Sequence, residues 1–150
     1  MKKRYLIIIS ILLTILSFWL GMKVEREFAS WDEIGNPVFE KEQIYFPNKK
    51  TSLYLKSKNW GLTGDHKISV LSTKSDFEFQ PDSISEYIFH GFGGIIYKVE
   101  NNTLKIYSHQ KPKIPPKFES EINVELIEIK NNSEWNKLND KIKNEYQKFE

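Results

Sequence analysis

The chain has 150 residues, no cysteine, 22 basic and 20 acidic side chains, and a formal net charge of +2. That length suffices for one domain, and the absence of cysteine excludes disulfides and thiolate metal sites. The near balance of interspersed charges gives no general field for nucleic acid or an anionic bilayer, so nucleic acid is not expected, and no motif in the chain calls for a cofactor.

The first element sets the class. Residues 1–4 form a basic tip carrying Lys2, Lys3 and Arg4, and the run from Tyr5 to Met22 has no charge. As a helix that run rises about 27 Å, close to the ~30 Å hydrocarbon thickness of a bilayer. A cleaved secretory signal has a shorter apolar region, ~7–15 residues, ending in small side chains. A cut after Gly21 sets Trp19 at the third position before it, and a cut after Ala29 sets Glu27 there. The expectation is therefore an uncleaved signal anchor, a single-pass transmembrane helix over 5–22. The basic tip keeps the N-terminus cytoplasmic by the positive-inside rule, and the rest is extracytoplasmic, in a periplasm or at the cell exterior. Three of the 22 basic residues and none of the 20 acidic ones lie ahead of the span, which leaves the exported part at a net −1. Richness in Lys, Asn, Ile and Glu gives the composition a bacterial look.

Residues 23–36 read as a stalk in which Val24, Phe28 and Trp31 continue a helical spacing until Gly35-Asn36-Pro37 ends it. Trp19 and Trp31 fit interface anchors. From 37 to 150 the pattern becomes short β-like runs bounded by Gly, Pro, Asn or Asp: 38–46, 51–57, 66–73, 76–80, 85–90, 94–100, 103–109 and a long one at 119–130. The clearest unit is IIYKVE-NN-TLKIYS. Asn101-Asn102 tolerate the positive φ of a two-residue turn, so Glu100 pairs with Thr103, and Ile95, Tyr97, Val99, Leu104 and Ile106 share one face. In the long run, Ile122, Val124 and Leu126 have one phase while Ile127 and Ile129 have the other, which calls for a bulge or for cover on both faces. HQKPKIPPKF ahead of it, with three of the six prolines, reads as an extended crossover. At the end, Trp135, Leu138, Ile142, Tyr146 and Phe149 make one stripe of an amphipathic helix over 133–149 with Ser133 as N-cap. The fold class is mainly β: after the anchor, a small antiparallel sandwich or curved sheet with one C-terminal helix packed on it.

Four constellations bear on chemistry. His90-Gly91-Phe92-Gly93-Gly94 resembles the oxyanion loop of α/β-hydrolases, but there is no GxSxG elbow and no alternation of strands with helices, so the glycines read as a turn or bulge. KNWGLTGDH (58–66) lacks phosphate-loop spacing and reads as a hairpin loop whose Trp60 either folds back onto the core, the simpler reading, or stacks on a sugar or anchors a protein. His66, His90 and His109 have no spacing that joins two imidazoles locally, so no metal is assigned. Asp76, Glu78 and Asp82 could supply a glycosidase-type carboxylate pair, but alternation of Asp76 and Glu78 with Phe77 and Phe79 reads more simply as the wet face of a half-buried strand. No catalytic residue is assigned. The candidate interaction loops are Trp60, Gly61, Gly64, Asp65 and His66, and Gly91, Phe92 and Gly93. The functional expectation is a non-catalytic, membrane-anchored envelope protein that contacts another protein. Alternatives are a module that binds surface or cell-wall glycan through loop aromatics, and a small hydrolase.

Overall fold

A computed structural model describes residues 2–33, 36–60, 66–91, 93–142 and 145–149. The chain divides into two units, Met1–Asn36 and Pro37–Glu150.

The first unit is one helix, α1 (Lys2–Glu33), which continues through the 23–33 stretch without a break. Its large apolar side chains are exposed on every face, with Ile11, Leu12 and Leu13, three successive positions around the helix, each more than half exposed. The hydroxyls of Thr14 and Ser17 bond back to the carbonyls of Ser10 (2.9 Å) and Thr14 (3.0 Å), so neither needs an outside partner. Among the described residues no helix is long and apolar enough to cross a membrane; described side chains run unbroken only from Ile9 to Glu25, because those of Leu6 and Ile8 lie outside them.

The second unit is mainly β. A first sheet has the order β1 (Val38–Phe46), β2 (Thr51–Trp60), β3 (His66–Ser72), β4 (Tyr87–His90), all antiparallel. A second sheet contains β5 (Ile95–Glu100), β6 (Thr103–Ser108), β7 (Asn123–Glu128) and, after α2 (Asn132–Asn139), β8 (Gln147–Phe149), in the order β7-β6-β5-β8. The two sheets share one core. Ile44, Phe46, Leu53, Leu55, Leu71 and Phe89 from the first meet Ile95, Tyr97, Leu104, Ile106 and Phe149 from the second, together with Ile122. Burial of each of these large side chains contributes about 1.5–3 kcal/mol, which makes this core the main determinant of the architecture. Across it the Tyr97 hydroxyl donates to Glu42 Oε1 at 2.5 Å, tying β5 to β1.

The β5–β6 hairpin has the expected register, with Glu100 opposite Thr103, Val99 opposite Leu104 and Tyr97 opposite Ile106; Asn101 takes φ 55°. Val99 alone of the expected face is exposed, since it lies at the turn end of the strand.

Four expectations are corrected. The 76–80 run forms no strand: it belongs to the 73–86 segment that covers the outer face of the first sheet, where Phe79 packs with Val70 and Ile88 in a second small cluster. The 58–66 stretch is not all loop, because β2 runs on to Trp60 and β3 begins at His66. The second sheet is not purely antiparallel. β7 pairs with β6 in parallel, because the proline-bearing 109–122 connection carries the chain back to the start of β6 before β7 begins, the length a parallel crossover needs. Of the two alternatives for β7, cover on both faces is the one found: the pairing with β6 has no bulge, Val124 and Leu126 lie against the core, and Ile127 is half-buried on the other side.

The last correction is the C-terminal helix, which is short. α2 is capped by Asn131, whose side chain accepts from Glu134 N at 2.9 Å while Glu134 accepts from Asn131 Nδ2 at 3.0 Å, so Ser133 lies inside the first turn. No residue of α2 is buried, so little packing supports a longer helix. The chain turns at 140–142, and β8 adds to the free edge of β5, which buries Phe149 in the core. The aromatic stripe still covers the second sheet, in pieces: Trp135 stacks on His109 (4.5 Å, 33°) and Tyr146 meets Tyr107 edge-on (5.5 Å). Lys143 and Asn144 lie outside the described residues.

Candidate functional site

The antiparallel register brings the ends of β2, β3 and β4, from which the two candidate loops leave, to one rim. Trp60 is opposite His66, Ile68 is opposite His90, and Gly91 N donates to the Lys67 carbonyl at 3.2 Å. Trp60, His66 and Gly91 therefore line one end of the first sheet. Gly61, Gly64, Asp65 and Phe92 lie outside the described residues.

Trp60 is half-buried. Its ring is 5.9 Å from the His66 ring at 33°, and Lys58 Nζ stands 5.5 Å from the Trp60 centroid and 5.7 Å from that of Phe39 while bonding Gln80 Oε1 at 3.3 Å. One cation between two aromatic faces orders the indole, which the His66 ring also adjoins. Among the described residues no second aromatic ring forms a coplanar platform with Trp60; Tyr54 is covered instead by Lys41 Nζ at 5.9 Å.

Gly91 takes φ 89°, a conformation that strains any side chain, and its amide bonds Lys67 within the sheet rather than an anion. The segment then passes close to the second sheet. A Cβ on Gly93 would lie 3.8 Å from His109 Cδ2, an ordinary contact, and one on Gly94 would lie 3.0 Å from Lys148 Cε, part of a flexible side chain, and 3.4 Å from Phe149 O, so the segment runs within contact distance of the second sheet. A cavity of about 60 Å³ results, lined by His90, Gly91, Gly93, Ser108, His109 and Gln110 among others, large enough for a water. His90 and His109 both line it, and His66 does not. Among the described residues no group of three His, Cys, Asp or Glu side chains is placed to hold a metal ion.

A buried charged site has no counterpart in the sequence reading. Lys56, fully buried on the outer face of β2, bonds Asp76 Oδ2 at 3.0 Å and lies 3.5 Å from Glu86 Oε1, with the Phe79 ring 4.7 Å from its ammonium. Glu86, also buried, accepts from Asp82 N at 2.9 Å. Burial raises the Asp76 carboxyl, but the Lys56 hydrogen bond, an Asp76 backbone contact and the charges of Lys56 and Lys74 together outweigh it and leave its pKa below the ordinary value. Around it, Asp82 accepts from Ser85 Oγ and Ile84 N, which lowers its pKa too. The arrangement holds the 73–86 segment onto the sheet, and the carboxylates face a lysine rather than a cleft. In sequence, Lys56 has the same phase as Tyr54 and Lys58 and gives no sign of burial; the two phenylalanines of DFEFQ were the available signal that this stretch covers a face.

Beside the C-terminal half of β7 opens a second cavity of about 240 Å³, lined by Ser108, Lys111, Pro112, Ile114, Leu126, Ile127 and Glu128. Comparison of the chain with protein-family models, with curated proteins and with solved structures finds no match.

Proposed function

We propose that this is a single-pass, membrane-anchored envelope protein whose β-rich unit is an extracytoplasmic, non-catalytic protein-interaction module. The observation that carries the reading is α1. Its apolar side chains are exposed all round rather than along one stripe, and a helix of that kind is stable in water only when something covers every face. A bilayer does so, and the self-satisfied hydroxyls of Thr14 and Ser17 suit it. The uncharged run from Tyr5 to Met22 has the needed length, and Lys2, Lys3 and Arg4 favour a cytoplasmic N-terminus. The rim of Trp60, His66 and Gly91 supports interaction, because it places a half-exposed indole beside a glycine turn on a rigid sheet.

The test is co-purification of the full-length protein from its own crosslinked membranes, beside a Trp60→Ala variant of equal abundance. A stoichiometric protein partner supports the reading, and its loss in the variant assigns the contact to the rim. Recovery in the soluble fraction removes the anchor from the proposal. Enrichment of wall or surface polymer with no protein favours glycan binding instead.

A further inference from the structure

We propose that the free edge of β7 is a docking site for an extended, basic segment of a partner protein, which adds to the second sheet as a further strand. This rests on the protein-interaction reading above and names its surface. Asn123 N donates to Asn102 O at 3.0 Å and Ile129 N to Ser108 O at 2.9 Å. In the evenly spaced parallel ladder between β6 and β7, the odd-numbered residues therefore face β6, and Val124, Leu126 and Glu128 turn their N–H and C=O groups outward. β7 is last in its sheet, and among the described residues no backbone hydrogen bond reaches those outward groups.

The other edges are less suited. β4 already pairs with the crossover, where Lys113 N bonds Ile88 O at 2.8 Å and Ile88 N bonds Lys113 O at 3.1 Å. β8 has three residues, and β1 carries the alternating Glu40, Lys41 and Glu42 that discourage pairing. β7 has neither lysine nor proline, and beside it lies the 240 Å³ cavity whose rim includes Ile114, 65% exposed. An added strand would place alternate side chains into that cavity.

Charge selects the occupant. Glu119, Glu121, Glu125 and Glu128 lie in a stretch, 119–129, with no Lys or Arg. Glu121 pairs with Lys49 at 3.2 Å, Glu125 with Lys105 at 3.9 Å and Glu128 with Lys111 at 3.5 Å, each through an exposed carboxylate, so a partner's cations displace these lysines at little cost. A second copy of β7 is a poor occupant: pairing centred on Leu126 sets Glu125 diagonally across from its own counterpart.

The probes are a synthetic peptide of alternating Lys and Val, its Glu-Val counterpart, and the Lys-Val peptide N-methylated at every amide, so that neither of its edges can donate. They are added to the full-length chain in detergent micelles, and amide hydrogen exchange is followed by NMR. The Lys-Val peptide is expected to slow exchange at Val124, Leu126 and Glu128, and the N-methylated form is expected not to. Glu128→Pro removes an outward N–H and is expected to weaken the peptide by about tenfold, whereas Glu128→Gln loses less. Should Glu128→Pro fail to fold, the N-methylated peptide carries the same test. Slowing confined to another edge, no slowing by any peptide, or equal slowing by the Glu-Val peptide overturns the proposal. A native partner still recovered in the co-purification then leaves the interaction reading standing, while absence of any protein partner defeats that reading itself.

Discussion

The outer faces of the two sheets both set lysine against carboxylate, and they do so in opposite surroundings. On the first sheet Lys56 is buried beneath the 73–86 segment, with Glu86 buried beside it and Phe79 over it. On the second, Lys98 and Lys105 flank Glu100 at 3.1 and 2.7 Å and reach on to Glu145 and Glu125, all at the surface. Distances are similar, yet water screens the second group and is excluded from the first. A short ion pair therefore says little about stability until its exposure is known.

The largest effect should come from unbalancing the buried group. Glu86→Ala leaves the Lys56 ammonium out of water with only the half-exposed Asp76, and removes the acceptor for Asp82 N. A loss of about 3 kcal/mol is expected, measured by urea unfolding of the full chain in micelles. Lys56→Met combined with Glu86→Gln removes the charge and keeps an acceptor, and should recover most of that loss. Equal destabilisation by the single and double variants would show that packing of the segment, rather than charge, holds it down.

An intermediate effect is expected where the two sheets meet. Tyr97→Phe removes the hydrogen bond to Glu42 and should cost roughly 1.5–3 kcal/mol, the range for a bond to a charged group. Burial, then the hydrogen bond and the charge of Glu42, push the Tyr97 phenol well above its ordinary 10.0. A group whose pKa is raised on folding stabilises fully below its unfolded value and loses that contribution as pH rises toward the folded one. Wild-type stability should therefore fall above about pH 10. Tyr107, pushed up to about 12 by burial and by Tyr146, adds to the same limb. Tyr97→Phe should flatten it; an unchanged alkaline limb would assign it to other groups.

Much of the fold was legible because local chemistry and core burial agreed. Asn101-Asn102 fixes a turn, the turn fixes a register, and the register places Tyr97, Leu104 and Ile106 inward. The C-terminal segment was misread because its apolar spacing fits a helix equally well as a turn with a short strand, and long-range pairing of β8 with β5 decided between them. The parallel pairing of β7 was invisible for a related reason: nothing in a strand's own residues states the direction of its neighbour. For the candidate site, sequence gave the positions of Trp60, His66 and Gly91 but not their meeting at one rim, which depends on the order of β2, β3 and β4. Lys56 was missed because burial of a lysine is decided by a segment about twenty residues away in the chain.

The smallest effect should come from the surface ladder, and salt separates it from the buried group. The Lys105 and then the Lys98 hydrogen bonds hold the Glu100 carboxyl below its ordinary pKa. The contribution of Glu100 is thus present at neutral pH and lost as pH falls through its folded value. Glu100→Gln should shift the unfolding midpoint barely at low ionic strength, and the shift should vanish near ~1 M salt, where the screening length falls to about 3 Å. The gap between wild type and Glu86→Ala should persist under the same salt, because ions do not enter between Lys56 and Glu86. If salt closes both gaps alike, the 73–86 segment admits water, and the two faces differ only in appearance. If it closes neither, the Glu100 ladder is held by more than charge, and Tyr146, whose ring lies 5.4 Å from Lys98 Nζ, is the next residue to vary.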